Sequence, residues 1–287
     1  MHAVLTKDEI QHDVVLQTEA LTSTYDSANH CVWMYCHAEP RPCVTETLLD
    51  DLSVVHQMIS NREIDADFYV LASAVPKVFS LGGDLSLFRH CVENQDWERL
   101  LHYATSCIDV LYGPISGFKQ QVISIAMVEG DALGGGFEGA LAMDFIMAER
   151  GAKFGFPEVL FNLFPGMGAY SMLARKMSPQ IAQRMILSGE FYQAEELHVK
   201  GLVDTLIEPG YALREVEGFM RDTRKQLRGY KSFLEARRTS ALWPRKEELM
   251  QIVHQWVDSV KQVTPRDLKL MDKLVMAQNR LKVLAAA

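Results

Sequence analysis

The sequence predicts an α/β fold. Short β-rich runs alternate with amphipathic helical stretches, a glycine-rich turn joins a buried strand to a helix, and the chain from Tyr211 onward carries helical patterns without a convincing strand. The first run, Cys31–Cys36 (CVWMYC), is apolar throughout and reads as a strand buried on both faces. In 46–61, Leu48, Leu49, Leu52, Val55, Met58 and Ile59 recur at helical spacing. The run 68–72 (FYVLA) is a second strand. The mixed segment 85–112, with Leu85, Phe88, Leu100, Leu101 and Ile108, reads as helical. Strands follow at 122–128 (VISIAMV), 145–148 (FIMA) and 203–207 (VDTLI). Ser178-Pro179 pairs an N-cap residue with proline at the first helical position, which starts a helix running to Leu187. The expected division is a core over 1–210 and a helical region over 211–287, packed on the core or on a neighbouring subunit.

Composition narrows the function classes. The 287 residues are 48% hydrophobic and 23% charged, near the globular average, so a disordered chain is excluded. A net charge of −8 argues against nucleic acid as partner. Five cysteines, at 31, 36, 43, 91 and 107, form no C-x-x-C pair and read as small buried residues in a reducing compartment. The N-terminal MHAVLTKDEIQHD has no long apolar stretch, so no signal peptide is expected. No run approaches the roughly 20 apolar residues of a membrane helix. The expectation is a cytoplasmic protein without membrane insertion. Charge is uneven, however. Residues 221–246 carry nine bases against Asp222 and Glu235, a net of +7. Such a run is either a solvated helix face or a docking surface for an acidic partner.

The densest chemical signal is Gly130-Asp131-Ala132-Leu133-Gly134-Gly135-Gly136-Phe137-Glu138-Gly139, directly after the strand at 122–128. It formally contains the dinucleotide fingerprint G-x-G-x-x-G, with Glu158 about 20 residues on. Glu138 would then repel the pyrophosphate, and Glu158 sits in a turn-like Gly155-Phe156-Pro157-Glu158 instead of at a strand end, so that reading is set aside. A backbone N–H of the cluster can instead donate to a developing oxyanion. A second donor can come from the glycine turn in Phe79-Ser80-Leu81-Gly82-Gly83-Asp84-Leu85. One such donor is typically worth about 3 kcal/mol of barrier. Glu138 and Glu158 supply paired carboxylates for proton transfer, and their apolar neighbours Phe137, Phe156, Val159 and Leu160 can raise a pKa by desolvation.

These motifs, in this order over about 30–210, resemble the crotonase (enoyl-CoA hydratase/isomerase) superfamily: FSLGGDL at 79–85, GDALGGGFE at 130–138, FGFPEV at 154–159 and PGMG at 165–168. The resemblance implies a spiral core of ββα units with a helical C-terminal region. It implies an oxyanion hole from the N–H groups of Leu81 and Gly135, and Glu138 and Glu158 as the catalytic pair. It also implies a homo-oligomer built on trimers, with no cofactor and no metal. The stretches PEVLF at 157–161, LFPGMGAYS at 163–171, WVD at 256–258 and MDKLV at 271–275 are similar to one branch, the diffusible-signal-factor synthases of bacterial cell–cell signalling. That branch implies dehydration of a 3-hydroxyacyl-acyl carrier protein, such as the 3-hydroxydodecanoyl form, to the cis-2-enoyl thioester. Thioester hydrolysis then releases the free acid for quorum sensing. It implies an acyl pocket lined by Gly82, Leu133, Met167, Trp256 and Leu274, each of which could equally be plain core. Acyl carrier proteins are acidic, so 221–246 is the expected docking segment. Acyl-CoA is a possible alternative substrate carrier, and a sensor protein a possible regulator.

Three other readings compete. One is a conventional trans-2-enoyl-CoA hydratase or isomerase of fatty acid catabolism, which shares fold and glutamates. Another is a non-enzymatic scaffold for partners or RNA. The third is a Ser or Cys hydrolase, although Ser116 and the cysteines lie in no G-x-S-x-G elbow. His37 and His254 have no metal-like spacing partner and read as structural.

Overall fold

The computed structural model describes residues 13–37 and 41–285. A hairpin, β1 (Asp13–Gln17) and β2 (Leu21–Asp26), leads into β3 (Cys31–Cys36) and α1 (Glu46–Ser60). Two ββα units follow: β4 (Phe68–Ser73), β5 (Val78–Ser80) and α2 (Leu85–Asn94) with α3 (Trp97–Ile115), then β6 (Ile123–Val128), β7 (Asp131–Leu133) and α4 (Gly135–Leu141). A third begins with β8 (Phe145–Glu149) and β9 (Lys153–Gly155) and continues through a 3-10 turn at Pro157–Phe161, α5 (Ala169–Lys176) and α6 (Pro179–Ser188). β10 (Phe191–Gln193), α7 (Ala194–Val199) and β11 (Thr205–Ile207) close the core. Four helices complete the chain: α8 (Ala212–Arg224), α9 (Leu227–Thr239), α10 (Lys246–Val260) and α11 (Pro265–Ala285).

In each unit the first strand joins a seven-stranded sheet, β1-β2-β3-β4-β6-β8-β11, and the second joins a four-stranded sheet, β10-β9-β7-β5. This is the spiral α/β architecture that the motifs imply. The large sheet is antiparallel through β1–β3 and parallel beyond. All six residues of β6 are buried, because helices cover both faces. Val32, Met34 and Tyr69 face the main core under α1, α3 and α10, whereas Trp33, Phe68, Val70, Ile123 and Ile125 face Val216, Met220 and Leu234 of α8 and α9.

Local signals explain most boundaries. Thr45 caps α1 by accepting from the Leu48 N–H, and Ser178 caps α6 by accepting from Ile181. The segment 85–112 is not one helix. Gln95 turns left-handed at φ 55°, and Asp96 caps a new helix by accepting from Arg99 N–H. Pro114 leaves the Val110 carbonyl without its helical donor, and the buried His56 imidazole lies against that carbonyl instead.

The basic segment behaves differently from the expectation. Arg224 and Lys231 pair with Asp67, Arg237 and Arg238 with Asp144, Lys246 with Asp109, and Lys225 with Asp222. Six of the nine bases thus have internal acids. α8 and α9 cover the sheet face opposite the main core. Four of these pairs, through Arg224, Lys231, Arg237 and Arg238, fasten the two helices to the body of the protein, so at those positions the expected docking segment has a structural use. Asp144, which Arg237 and Arg238 share, is fully buried. It accepts from Ser124 N at 3.0 Å, Ser124 Oγ at 3.1 Å, the Arg238 guanidinium at 2.6 Å and the Arg237 guanidinium. Removing it strands a buried guanidinium, a loss that typically costs about 3–5 kcal/mol. Asp144→Ala should therefore lower the unfolding free energy from denaturant titration by that amount. A loss under about 1 kcal/mol would show that water replaces the carboxylate. Among the described residues, no helix is long and apolar enough to cross a membrane.

Candidate active site

The site forms where the glycine turns of two units meet. Between β7 and α4 the chain passes through Gly134 at φ 51°, ψ −125°, a conformation that L-residues rarely adopt. A Cβ there would also lie 2.4 Å from Glu158 Oε1. Gly134 is thus required twice, by its own backbone and by the carboxylate packed on it. On the other side, Gly82 turns at φ 91°, and a Cβ on it would come 3.0 Å from Gly135 N. A Cβ on Gly135 would come 3.4 Å from Gly83 N.

This close approach corrects one expected donor. Leu81 N–H donates to Pro42 O at 2.8 Å, so it is spent on the backbone. The N–H groups of Gly83 and Gly135 have no acceptor among the described residues, and they lie side by side. Two neighbours set the turn that presents Gly83. Tyr103 OH donates to Val44 O at 2.6 Å and accepts from Asp84 N at 3.2 Å. Asp84 caps α2 and is gripped by Arg41 at 2.5 Å.

Glu138, on α4, is 1% exposed. Its Oε1 accepts from Met167 N and Ala169 N, both at 2.9 Å. Burial raises its pKa to about 7, against the lowering effect of those two N–H bonds. Glu158, in the 3-10 turn, has its pKa raised to about 8 by burial and then by the negative charge of Glu138. The stem of Glu158 is half-buried, but its Oε2 is sealed from solvent and has no hydrogen-bond partner in the protein. That oxygen is poised for an external partner.

Both carboxyl groups face a cavity of about 360 Å³. Gly82, Leu133, Met167, Trp256 and Leu274 lie on its wall, as does the side chain of Leu81. The structure also places there Gly83, Phe88, Tyr103 and Cys107, which sequence reasoning did not assign. Phe88 meets Trp256 edge-to-face, with centroids 5.0 Å apart, so α2 and α10 jointly close the apolar end. α11 supplies Leu274 and is tied down by Arg89 to Asp272 and by Asn162 to Asp267. The Cys107 thiol is pushed up to about 12 by burial, which leaves no thiolate at neutral pH. Ser116 Oγ donates to Gly113 O at the end of α3 and is not on the cavity wall. Among the described residues no cluster of three His, Cys, Asp or Glu is placed to hold a metal.

Two neighbouring amides without acceptors, beside two carboxyl groups of raised pKa over an apolar cavity, are an arrangement that can stabilise an enolate and move protons around it. The family model for enoyl-CoA hydratase/isomerase matches residues 39–241. The chain belongs to the enoyl-CoA hydratase/isomerase family. Among curated relatives, it is 29% identical over 174 residues to the crotonyl-CoA hydratase of Syntrophomonas wolfei, covering 60% of this chain and 63% of that one. It is 30% identical over 164 residues to the short-chain-enoyl-CoA hydratase of Clostridium acetobutylicum, covering 56% and 59%. The matched part thus spans about three-fifths of those relatives. Solved structures share the fold over more of their length. Enoyl-CoA hydratase from Bacillus halodurans superposes with a TM-score of 0.77 at 20% identity, covering 88% of this chain and 98% of that one. DspI of Pseudomonas aeruginosa superposes with a TM-score of 0.66 at 24% identity, covering 84% and 95%.

Proposed function

We propose that this family member converts a 3-hydroxyacyl thioester on acyl carrier protein to the cis-2-enoyl thioester and then hydrolyses it, releasing a free cis-2-unsaturated fatty acid as a diffusible signal. The observation that carries the acid–base half is the pair Glu138, fully buried, and Glu158, half-buried with a sealed carboxyl oxygen, both with pKa raised to near neutrality. The likeness of 157–161, 163–171, 256–258 and 271–275 to the signal-synthase branch supports the rest.

In this reading the thioester oxygen sits between the N–H groups of Gly83 and Gly135, which replace the Leu81–Gly135 pair expected from sequence. One carboxylate removes a proton from the carbon next to the carbonyl, and the electron pair moves onto the carbonyl oxygen as an enolate. The other carboxyl group protonates the 3-hydroxyl as it leaves as water, and the enolate collapses to the alkene. In hydrolysis, a carboxylate takes a proton from water as it attacks the same polarised carbonyl. The carrier thiol leaves with that proton. Burial keeps the Cys107 thiol on the cavity wall protonated, which does not favour it as the nucleophile and supports water in that role.

The pair must hold one proton between its two members. Raising pH through about 8 strips the acid, and lowering it through about 7 protonates the base. Dehydration kcat/KM should therefore be bell-shaped with a maximum between these values, which belong to the pair and not to either residue. In Glu138→Gln the residual Glu158 titration should move below 8, because its negative neighbour is gone. A profile flat from pH 6 to 9 would exclude the pair as the proton carriers.

The deciding experiment incubates the protein with 3-hydroxydodecanoyl-acyl carrier protein and analyses products by mass spectrometry and NMR. A free cis-2-enoic acid supports the proposal. A trans-2-enoyl product that stays esterified supports the conventional hydratase, the reading favoured by the names of the curated relatives.

A further inference from the structure

The turn that carries Glu158 is short and thinly covered. Of its five residues, Pro157–Phe161, Phe161 is buried, whereas Leu160 is 53% exposed. A 3-10 turn has poorer hydrogen-bond geometry than an α-helix, so a single one needs outside support. That support arrives at the residue that closes it. Asn162 is left-handed, at φ 58° and ψ 28°, a conformation that asparagine tolerates better than most residues. Its backbone N–H returns to the carbonyls of Glu158 and Val159, and Leu163 N–H donates to Glu158 O at 3.0 Å. The Asn162 side chain leaves the turn and donates through Nδ2 to Asp267 Oδ1 at 2.6 Å.

Asp267 is buried at the start of α11 and serves two elements with its two oxygens. Oδ2 accepts from Thr264 N at 2.9 Å and from Thr264 Oγ1 at 2.6 Å, which caps the helix ahead of Pro265. Oδ1 takes the Asn162 amide. The bonds from Thr264, and then the one from Asn162, hold the Asp267 carboxyl below the usual carboxylate range, so it accepts as an anion at neutral pH. Further along α11, Asp272 pairs with Arg89 of α2, so the helix that grips the turn is itself fixed to a second element of the cavity wall.

We infer that Asn162 and Asp267 are positioning residues: the amide–carboxylate bond between them holds the turn so that the Glu158 carboxyl stays seated against Gly134. Neither side chain lines the cavity, so any effect on turnover reaches the chemistry through the turn. The inference rests on Glu158 as a proton carrier in the proposed reaction. It does not depend on the identity of the thioester or on the geometry of the product.

The charged groups around Glu158 are Glu138 of α4, Asp131 of β7 and Lys153 of β9 on the same cavity wall, Asp267 behind Asn162, and Arg184 of α6, the helix packed against the turn. Asn162→Gly changes none of them. A shift of the Glu158 titration in that variant therefore reports the seat of the carboxyl and its access to water.

The test uses the whole chain and two readouts. Carbon-13 NMR follows the Glu158 titration in the protein alone, with the signal assigned by its loss in Glu158→Gln, and kcat and KM are measured separately on 3-hydroxyacyl carriers. Asn162→Gly keeps the left-handed turn and removes the amide. It should lower kcat about 10-fold with KM little changed, and bring the Glu158 titration down from about 8 toward the ordinary 4.5 as water reaches the carboxyl. Asn162→Asp sets two carboxylates against each other and should lower kcat by about 10²-fold. Adding Asp267→Asn to Asn162→Asp restores the bond with donor and acceptor exchanged, and should return kcat to within about threefold of wild type. A titration and kcat both unmoved in Asn162→Gly overturn the inference, as does a folded double variant no better than Asn162→Asp. If Asn162→Asp does not fold, Asn162→Gly decides alone. A lowered Glu158 titration in Asn162→Gly, where wild type turns over no 3-hydroxyacyl carrier, keeps the positioning pair and refutes the proposed reaction. Turnover by wild type with an unmoved titration and kcat in Asn162→Gly does the reverse.

Discussion

Glu138→Gln and Glu158→Gln should each lower kcat for dehydration by about 10²–10⁴-fold, with substrate binding little changed. Glutamine keeps the volume and the hydrogen-bonding shape but cannot take or release a proton. Glu138→Gln retains an acceptor for Met167 N–H and Ala169 N–H, so the loop at 167–169 should stay in place. The double variant should be little worse than either single one, because the two carboxyl groups act as one unit. Both variants should also be more stable than wild type at pH 8. A Glu pKa raised on folding means that stability is fully present below the ordinary 4.5 and is lost as pH rises through about 7 and 8. The amide cannot ionise, so it escapes that loss. Measuring kcat, KM and the denaturant midpoint at pH 6 and pH 8 separates these effects. Activity within tenfold of wild type in either variant would remove that residue from the chemistry.

Gly134→Ala should cost about 10²-fold or more in kcat, whereas Gly139→Ala, five residues along the same motif, should cost nothing. At 134 the new methyl meets Glu158 Oε1 at 2.4 Å, and φ 51° with ψ −125° is outside the regions open to alanine. Displacing a reacting carboxyl by about 1 Å is worth roughly two orders of magnitude, and the backbone strain adds roughly 1–3 kcal/mol of instability. At 139 the methyl enters open space inside α4, and alanine is the better helix former by about 1 kcal/mol. Equal losses at the two positions would mean that the motif is needed for flexibility in general and not for the seat of Glu158.

The order of strands and helices was legible where the signal is local. Apolar runs marked β3, β4 and β8, runs broken by polar residues marked β6 and β11, and Ser178-Pro179 marked the start of α6. The short strands β5, β7, β9 and β10 span three residues each, too few for any periodicity to register. β1 and β2 alternate weakly and are mostly polar, so their pairing emerges only when β3 offers an edge. The break at Gln95 was missed because no glycine or proline announces it. The site shows the same division. Two glycine turns and two glutamates could be picked out from residue type alone. Which amide of FSLGGDL is open could not, because the turn at Gly82 sends Leu81 N–H to Pro42 and leaves Gly83 facing Gly135.

The sequence by itself therefore determined the α/β class, the family motifs and the identity of the two carboxylates, since these are properties of residue type and near-neighbour spacing. Only the tertiary structure decided the protonation of the pair, the donors beside it and the use of the basic segment. Glu138 is held by amides 29 and 31 residues away, and Arg238 neutralises an acid 94 residues away. Desolvation and charge pairing depend on what folding brings together from distant parts of the chain, and no local pattern records it.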